Sequence, residues 1–489
     1  MPMNTSDRVP VHRPRVLVVI AAAVWLLSFL QGAAFAQRLN SESRWGTTFY
    51  YWNWYNTQGL PSYSIPPNLA PWGPQDQSWW NSVVDRAQYA GLSWIAANSW
   101  GNDTDADPAN LGPLVQAIVS RGNHMKVALF DDTTSEVLRK NRDKHGCWAL
   151  PTHEHSQCPS LTDDQLRFDL SDSSGGGEGG WYYFYDLQWK RYFQTVPDAQ
   201  RLKIDGRPVV ILYHSGSGEM WYKNAASFDN MLTALKAATQ AEFGFTPYVI
   251  VESTSSWAQS GMNMAHIDAL YSWFGVANNT MTRTFVSSNT TSGGAMSVAM
   301  AIPGYYTPDQ RAYRTGGNLY RGNLQWVVDR NPQLIMLESI SNAEENAHLI
   351  ETPEWGSNYV NITRQFTVGA AAQPWEAPVS GVLHANEQIN PDQSLCSTTG
   401  RFCLRYQGDG NLVLYDNGNY VWTRGAPAAT AGRAVMQDDG NFVVYNASGG
   451  YVWDTKTYDH PGAYLVVHSD GDLLIYSATG TVLWERSGK

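Results

Sequence analysis

The stretch QGDGNLVLY at residues 407–415 occurs twice more with small changes, as QDDGNFVVY at 437–445 and HSDGDLLIY at 468–476. The copies begin 30 and then 31 residues apart. A fixed period of this length indicates a repeat architecture. Within each copy the recurring residue types lie at every second position, which places their side chains on one face of a strand. Each copy is therefore predicted to be a strand that displays one row of side chains.

The row of the first copy consists of Gln407, Asp409, Asn411, Val413 and Tyr415. Its amides, carboxylate and phenol supply both donors and acceptors, and its valine supplies a small apolar contact. A sugar ring requires both kinds of contact. The alternative is that the Asp-Gly and Gly-Asn pairs only form turns and the alternation only builds a barrel wall. Turn chemistry explains neither the glutamine nor the tyrosine.

The motif resembles that of the bulb-type mannose-binding lectins, an all-β family whose three-fold β-prism carries Gln-x-Asp-x-Asn-x-Val-x-Tyr in each sugar site. The resemblance covers residues 381–489. It implies that Asp and Asn hold the axial 2-hydroxyl of mannose, Gln the 2- and 3-hydroxyls and Tyr the 4-hydroxyl, with Val against the ring carbons. Two copies match fully, whereas the third has His468, Asp472 and Leu474 instead of Gln, Asn and Val. The mannose-binding residues implied are Gln407, Asp409, Asn411, Val413, Tyr415, Gln437, Asp439, Asn441, Val443, Tyr445, Asp470 and Tyr476.

The chain begins with a segment typical of export. Basic residues between Arg8 and Arg15 precede an apolar run from Val16 to Leu30, and the small-residue sequence AAFA ends at Ala36. Residues 1–36 are therefore predicted to be a signal peptide. A retained membrane anchor is the alternative, but the run is short for a membrane span. We expect the mature protein to be secreted, with no membrane association after cleavage.

Composition agrees with an extracellular protein that contacts carbohydrate. Charged residues make up only 16% of the chain, which contains 21 Trp and 26 Tyr. Sugars stack on such rings. The net charge of −11 argues against a nucleic-acid partner. We expect no metal and no cofactor, because the motifs offer no compact ligand cluster.

Four cysteines occur as two close pairs, Cys147 with Cys158 and Cys396 with Cys403. In an exported protein these are most simply two local disulfides, and pairing between domains is the alternative. The lectin resemblance also leaves open a homodimer formed through the C-terminal region.

The long block before the repeats is predicted to be one domain, residues 37–368, joined by a Pro/Ala/Gly-rich linker, 369–380, to the lectin-like domain. Eight apolar strand-like runs alternate with helix-like segments, which predicts an α/β fold of the TIM-like (β/α)₈ barrel class. An open doubly wound sheet is the competing fold. The predicted strands are 47–54, 92–97, 125–130, 208–213, 248–251, 269–273, 297–302 and 334–337, and the predicted helices include 77–89, 111–121, 228–243 and 319–329.

In such a barrel the active site lies at the carboxyl ends of the strands. Acidic and aromatic residues follow these ends, and glycoside cleavage requires two carboxyl groups in an acid and a base or nucleophile role. Either Asp131 or Asp132 could instead cap a helix, and the pair at 344–345 could be an acidic first turn. The catalytic candidates are Asp131, Asp132, Glu252, Glu344 and Glu345, and the substrate-binding candidates are Tyr51, Trp54, Trp100, His214, Trp273, Tyr305 and Asn342.

The end of the long block resembles the endo-α-mannosidase and fungal α-1,3-glucanase group of glycoside hydrolases. The resemblance is carried by Tyr320, Trp326, Asn342 and Ile350-Glu351, and by the aromatic sequence YYWNWY at 50–55. The positions of that group's two acids hold Ala343 and Asn346. Either a neighbouring carboxylate, Glu344 or Glu345, replaces them, or the barrel has lost that catalysis.

Together these patterns predict a secreted glycoside hydrolase, endo-acting on an α-linked polysaccharide such as α-mannan or α-glucan. The lectin would hold the enzyme on mannose-containing glycans. The alternative is a non-catalytic lectin with a degenerate barrel, used in adhesion or against microbes. Loss of sugar release on mutation of single carboxylates would discriminate the two.

Overall fold

The structure is a computed structural model. It describes residues 39–50, 77–99, 111–132, 168–169, 184–213, 220–221, 225–252, 265–277, 280–282, 296–306, 310–342, 345, 347–352, 354–373, 376, 380–424 and 430–486. The predicted signal peptide, residues 1–36, lies outside these ranges. Among the described residues, no helix combines the length and apolar character that a membrane crossing requires.

Eight parallel strands close into a barrel in chain order, each pairing with the next and the last with the first. The closed barrel is confirmed, and the open doubly wound sheet is excluded. All eight predicted strands are present, although the first ends at Phe49 and the sixth at Tyr271. The strands are β1 Trp45–Phe49, β2 Trp94–Ser99, β3 Lys126–Asp131, β4 Arg207–Leu212, β5 Tyr248–Glu252, β6 Ala269–Tyr271, β7 Met296–Ala301 and β8 Leu334–Leu337.

Within the described residues, a helix follows six of the eight strands, whereas a complete (β/α)₈ barrel has a helix after each strand. The predicted helix at 77–89 has those bounds. The helices are α1 Gln77–Tyr89, α2 Gly112–Ser120, α3 Lys190–Thr195 after a π-helical turn Tyr185–Trp189, α4 Ala225–Phe243, α5 Asn318–Arg330 and α6 Asn358–Val368, with 3₁₀ turns at Asp198–Gln200 and Thr315–Gly317. Short two- and three-residue strands are Phe168–Asp169, Lys203–Ile204, Met220–Trp221, Gly275–Ala277, Thr280–Thr282, Tyr305–Tyr306 and Arg311–Ala312.

Strand residues alternate between the barrel interior and the helical layer. On β2, Trp94 and Ala96 belong to the interior cluster, whereas Ile95 and Ala97 pack with α1 and α2. The Trp94 ring fills the space beside Gly46, where an added Cβ would lie 2.0 Å from it. This two-residue period determines which side chains point along the barrel axis at the strand ends.

The C-terminal region consists of three four-stranded antiparallel sheets around one apolar core. Each nine-residue copy supplies the third strand of one sheet, which is Leu412–Asp416, Phe442–Asn446 or Leu473–Tyr476. The Cys396–Cys403 disulfide links paired strands of the first sheet, as predicted, whereas Cys147 and Cys158 lie outside the described residues. The strands are β9 Val382–Leu383, β10 Gln388–Ile389, β11 Ser394–Cys396, β12 Phe402–Tyr406, β13 Leu412–Asp416, β14 Asn419–Thr423, β15 Ala431–Met436, β16 Phe442–Asn446, β17 Tyr451–Asp454, β18 Tyr464–Val467, β19 Leu473–Tyr476 and β20 Val482–Glu485.

Candidate functional site

A ring of polar and aromatic residues continues the interior positions of the barrel at the strand ends. On β3 the interior residues Ala128 and Phe130 are followed by Asp132, and on β8 Leu334 and Met336 are followed by Glu338. Since the strands are parallel, these ends meet at one face of the barrel, where active sites of such barrels lie. The ring residues in this phase are Tyr50, Asn98, Asp132, Tyr213, Glu252, Trp273 and Glu338.

Glu338 of this ring and the nearby Glu345 share one amide. Asn342 Nδ2 donates to Glu345 Oε2 at 2.8 Å and to Glu338 Oε1 at 3.3 Å. Thr48 Oγ1 donates to the other Glu338 oxygen, and Tyr305 OH donates to Glu345 Oε1 at 3.1 Å. Glu338 and Asn342 are fully buried, whereas Glu345 is half-buried. The amide therefore fixes a deeper and a shallower carboxyl group side by side.

Burial raises the pKa of both carboxyl groups. The pKa of Glu338 is raised to about 8, mainly by burial and also by the charge of Glu345, while hydrogen bonds from Thr48, Asn342 and Tyr50 lower it. The pKa of Glu345 is also raised by burial, and hydrogen bonds from Asn342 and Tyr305 lower it. With a pKa of about 8, Glu338 is protonated at neutral pH. A protonated carboxyl beside a second carboxyl group is typical of an acid and a base in catalysis.

The remaining ring carboxylates lie within the same face. Asn98 Nδ2 donates to Asp132 Oδ2 at 3.0 Å, and the backbone N–H of Trp273 donates to Glu252 Oε1 at 3.3 Å. Burial, followed by the charges of the surrounding carboxylates, raises the pKa of Tyr213 well above its ordinary value. The tyrosine therefore remains a neutral phenol among the acids.

One catalytic candidate points elsewhere. Asp131 lies in the opposite phase of β3 from Asp132, and its Oδ2 accepts a hydrogen bond of 2.8 Å from Trp189 Nε1, just before α3. Asp131 thus joins the strand to the helical layer and does not face the barrel interior. The prediction of a catalytic Asp131 is corrected accordingly, because adjacent strand residues point to opposite sides.

The predicted substrate-binding residues are only partly within the described ranges. The Trp273 ring is half-buried, with its centroid 4.8 Å from that of Tyr213. Tyr305 contacts Glu345 through the hydrogen bond that its hydroxyl donates. Asn342 holds the two carboxyls together and is itself buried. Lying outside the described residues are Tyr51, Trp54, Trp100, His214 and the catalytic candidate Glu344.

The first two repeat rows have matching geometry at the surface. Gln407 Nε2 donates to Tyr415 OH at 2.7 Å, and Gln437 Nε2 donates to Tyr445 OH at 3.1 Å. Asp409 Oδ1 accepts the N–H of Asn411 at 2.9 Å, and the second row repeats this bond at the same distance. Both aspartates are exposed.

The two rows also orient their asparagines from behind. Thr423 Oγ1 donates to Asn411 Oδ1 at 2.8 Å, and Thr455 Oγ1 donates to Asn441 Oδ1 at 3.2 Å. Val413 and Val443 are buried beneath the polar groups. Each row therefore holds fixed donors and acceptors, exposed at the aspartate and half-buried at the glutamine and tyrosine. In the second row Asn441 is buried, and its Nδ2 donates to Asp454 Oδ2 at 2.9 Å.

The third row is buried against the barrel. His468 Nε2 lies 2.9 Å from Tyr476 OH, and Asp470 Oδ1 accepts the N–H of Asp472 at 3.0 Å, so the internal pattern of the row is kept. All four side chains are fully buried. The expectation that Asp470 and Tyr476 bind mannose is corrected, since barrel residues cover this row.

Comparison with known families gives one match. A model for a domain of unknown function, DUF5010, matches residues 31–378, well over half of the chain. The chain belongs to the DUF5010 family. The family's description assigns no activity, and the DUF5010 region contains the whole barrel. No curated protein matches the chain.

Part of the chain is similar to solved lectins. A Marasmius oreades lectin is 31% identical over 22% of this chain and 92% of its own, with a TM-score of 0.21. A mannose-binding lectin from Gastrodia elata is 31% identical over 22% of this chain and 99% of its own, with a TM-score of 0.21. The mannose-specific agglutinin of Galanthus nivalis is 29% identical over 22% and 97%, with a TM-score of 0.19.

Sequence reasoning missed Glu338 in the DUF5010 barrel. The signal was present, because Glu338 follows Met336 by two residues in the interior phase of β8, as Glu252 follows Ile250 on β5. Within the described ranges, no three His, Cys, Asp or Glu side chains are grouped so that they could hold a metal ion.

Proposed function

We propose that this protein is a secreted glycoside hydrolase that cleaves an α-linked polysaccharide in its barrel and binds mannose-containing glycans through two C-terminal rows. The observation that carries the hydrolase is the pair of carboxyls, Glu338 and Glu345, held by the Asn342 amide. Two neighbouring carboxyl groups, one of them protonated at neutral pH, are the minimal equipment for glycoside cleavage.

Glycan binding is supported by the two open rows themselves. In each row Gln, Asp, Asn and Tyr are held by hydrogen bonds within the protein, so little side-chain freedom is lost when a sugar binds. The row combines these polar groups with a buried valine, which suits the mixed surface of a pyranose ring. Export, as predicted from residues 1–36, would bring the rows to extracellular glycans.

The proposed mechanism assigns one role to each carboxyl. Glu338, protonated at neutral pH, donates its proton to the glycosidic oxygen as the bond from that oxygen to the anomeric carbon breaks. The ionised Glu345 attacks the anomeric carbon and forms a glycosyl ester. Glu338, now ionised, then takes a proton from a water that displaces Glu345, which restores both groups and releases the sugar.

The spacing of this pair predicts retention of the anomeric configuration. Glu345 Oε2 lies 2.8 Å and Glu338 Oε1 lies 3.3 Å from Asn342 Nδ2. These two oxygens are therefore at most about 6.1 Å apart, which is below the range of inverting enzymes. Retaining enzymes place their carboxyls about 5–5.5 Å apart, and inverting enzymes about 6.5–9.5 Å. Proton NMR of the freshly released sugar should show an α-anomer from an α-linked polymer, and a β-anomer would exclude this pair as nucleophile and acid.

The test is an activity screen of the mature chain, Gln37 to Lys489, on yeast α-mannan, α-1,3-glucan and α-1,6-glucan, with released oligosaccharides identified by mass. We expect release from one polymer, and Glu345→Gln should lower that rate about 10³-fold or more by removing the nucleophile. Glu351→Gln is the matched control, because Glu351 pairs with Arg86 at a partly exposed site. Silence of the wild type on all three polymers, with mannan still bound, would favour the non-catalytic lectin.

A further inference from the structure

The third copy of the sugar row differs from the others in what covers it. Asp409 and Asp439 are exposed, whereas the equivalent Asp470 is 1% exposed and Asp472 is 0% exposed. The covering residues belong to the barrel domain, in the turn that precedes α5 and the turn that precedes α6. The copy that departs from the motif is thus the copy that meets the barrel.

Backbone groups of the first turn occupy the polar end of the row. The N–H of Thr315 donates to Asp472 Oδ2 at 2.8 Å, and the N–H of Arg314 lies 3.5 Å from Asp470 Oδ2. Gly316 has a φ of +58°, and a Cβ there would lie 2.6 Å from the Tyr476 ring and 2.5 Å from Val482. The carboxylates of the third row therefore face the backbone N–H groups of Arg314 and Thr315, whereas the aspartates of the other two rows face solvent.

The substitution of Gln by His468 fits this contact. The glutamines of the open rows reach their tyrosine hydroxyls, and the His468 ring keeps that bond through Nε2. Its Nδ1 lies 3.1 Å from Glu354 Oε1, and the ring stacks on Trp355 with a centroid distance of 4.3 Å. The two ring nitrogens of His468 thus bridge Glu354 of the barrel domain and Tyr476 of the row.

The substitution of Asn by Asp472 supplies charge. Arg314 is fully buried, and its guanidinium lies 4.1 Å above the Tyr359 ring. Burial raises the pKa of Tyr359, the charge of Arg314 lowers it, and the charges of Asp470 and Asp472 raise it. A buried cation requires nearby negative charge, and the aspartate adds a second carboxylate that an asparagine would lack.

Arg314 continues the contact into the loop of the candidate acids. Its guanidinium donates to His348 O at 2.9 Å. His348 belongs to the segment 338–350, which carries Glu338 and Glu345 and closes on itself through the bond from Ser339 N to Ala347 O. One arginine thus joins the third row to the loop.

We propose that the third copy is a docking surface whose ligand is the barrel, so that the C-terminal region forms part of the scaffold of the loop 338–350. Its effect on catalysis rests on the proposed function, whereas the docking itself does not. The intact chain then has two mannose sites, and Arg314 is a positioning residue.

Gly316→Ala tests the docking, with Gly244→Ala as matched control. Both glycines have positive φ, at +58° and +80°, but a Cβ at Gly244 meets no atom within 4 Å. We expect the wild type and the control to unfold in one calorimetric transition, and Gly316→Ala in two, with cleavage of the Ala-rich linker 369–380 by elastase about tenfold faster. Equal behaviour of the two variants would overturn the proposal.

A motif-restoring variant provides the second test. His468→Gln, Asp472→Asn and Leu474→Val together rebuild all five motif residues in the third row. Titration of the wild type with methyl α-mannoside should give two sites per chain, because the barrel covers the row. The variant loses the contacts of His468 and Asp472 with the barrel, so a third site should appear only if it also unfolds in two transitions. A third site in the wild type, or in a variant that still unfolds in one transition, would overturn the proposal. Gly316→Ala should lower the kcat of sugar release and leave the affinity for mannose unchanged. If the variant unfolds in two transitions but keeps its kcat, the docking stands and only the positioning role of Arg314 is overturned.

Discussion

Replacement of Glu338 by glutamine is expected to slow polysaccharide cleavage about 10²- to 10⁴-fold, the contribution of a well-placed proton donor. Glutamine keeps the volume of the side chain and an oxygen for the Thr48 hydroxyl, but it has no proton to transfer to a leaving group. The measurement is kcat on the polymer that the screen identifies. Glu351→Gln should retain the wild-type rate, and a wild-type rate in Glu338→Gln would exclude Glu338 from the mechanism.

The same residue should set the alkaline limit of the activity. Glu338 faces Glu345, Tyr50 and Tyr271, and burial is the largest cause of its pKa of about 8. Above that pH the acid is ionised and cannot protonate the leaving oxygen. The rate should therefore fall as pH rises through about 8, and this limb should be missing from the residual activity of Glu338→Gln.

Stability provides a readout that needs no substrate. The ordinary pKa of the side chain is 4.5, so the unfolded chain releases this proton at lower pH than the folded protein, which holds it to about 8. Between these values the folded state binds more protons, and the free energy of unfolding decreases as pH rises. At pH 8 Glu338→Gln should therefore melt at a higher temperature than the wild type. The gain in the free energy of unfolding should be several kcal/mol, from about 1.4 kcal/mol for each pKa unit. At pH 4 the variant should show no such gain. Identical pH dependence of the two proteins would contradict the raised pKa.

The second large effect concerns glycan binding. Asp409→Asn with Asp439→Asn is expected to abolish detectable retention on mannan, because a hydrogen bond to a charged group contributes about 1.5–3 kcal/mol, roughly ten- to hundredfold per row. Asparagine keeps the acceptor oxygen that holds the next backbone N–H at 2.9 Å, so the turn should survive. Two weakened rows lose the gain from simultaneous attachment as well. Each single variant should leave one site by isothermal titration.

The control for this pair lies in the third row. Asp470→Asn makes the same chemical change at a position that is buried against the barrel. Its mannose stoichiometry should equal that of the wild type. If Asp470→Asn lost a site, or if the double variant bound mannan normally, the assignment of the two open rows would be wrong.

The barrel strands were accessible to sequence reasoning because they are buried on both faces and read as continuous apolar runs. β8 was predicted within its observed bounds, and α1 likewise. The phase of each strand was also readable: it excludes Asp131 from the interior and includes Glu338. Both errors arose because the prediction used only the place where each strand ends and not the side of the strand to which each side chain points.

Other features depend on contacts that no local pattern encodes. The pairing of Glu338 with Glu345 requires the segment 338–350 to fold back so that one asparagine reaches both. The burial of the third row requires Glu354 and Thr315 from a different domain. The presence of His468 and Asp472 marked that row as different, but the partner that made the difference is distant in the chain.

The buried third row has a consequence for how the protein meets a surface. If the proposed docking and the proposed function hold, docking would fix the two open rows relative to the mouth of the barrel, and attachment would set the distance and direction from each bound mannose to the bond that is cut. A flexible tether would let the enzyme search a sphere around its anchor, whereas a rigid mount samples one offset. Glycans that carry mannose at that distance and direction from a cleavable bond would then be bound and cut, and glycans without it would only be bound.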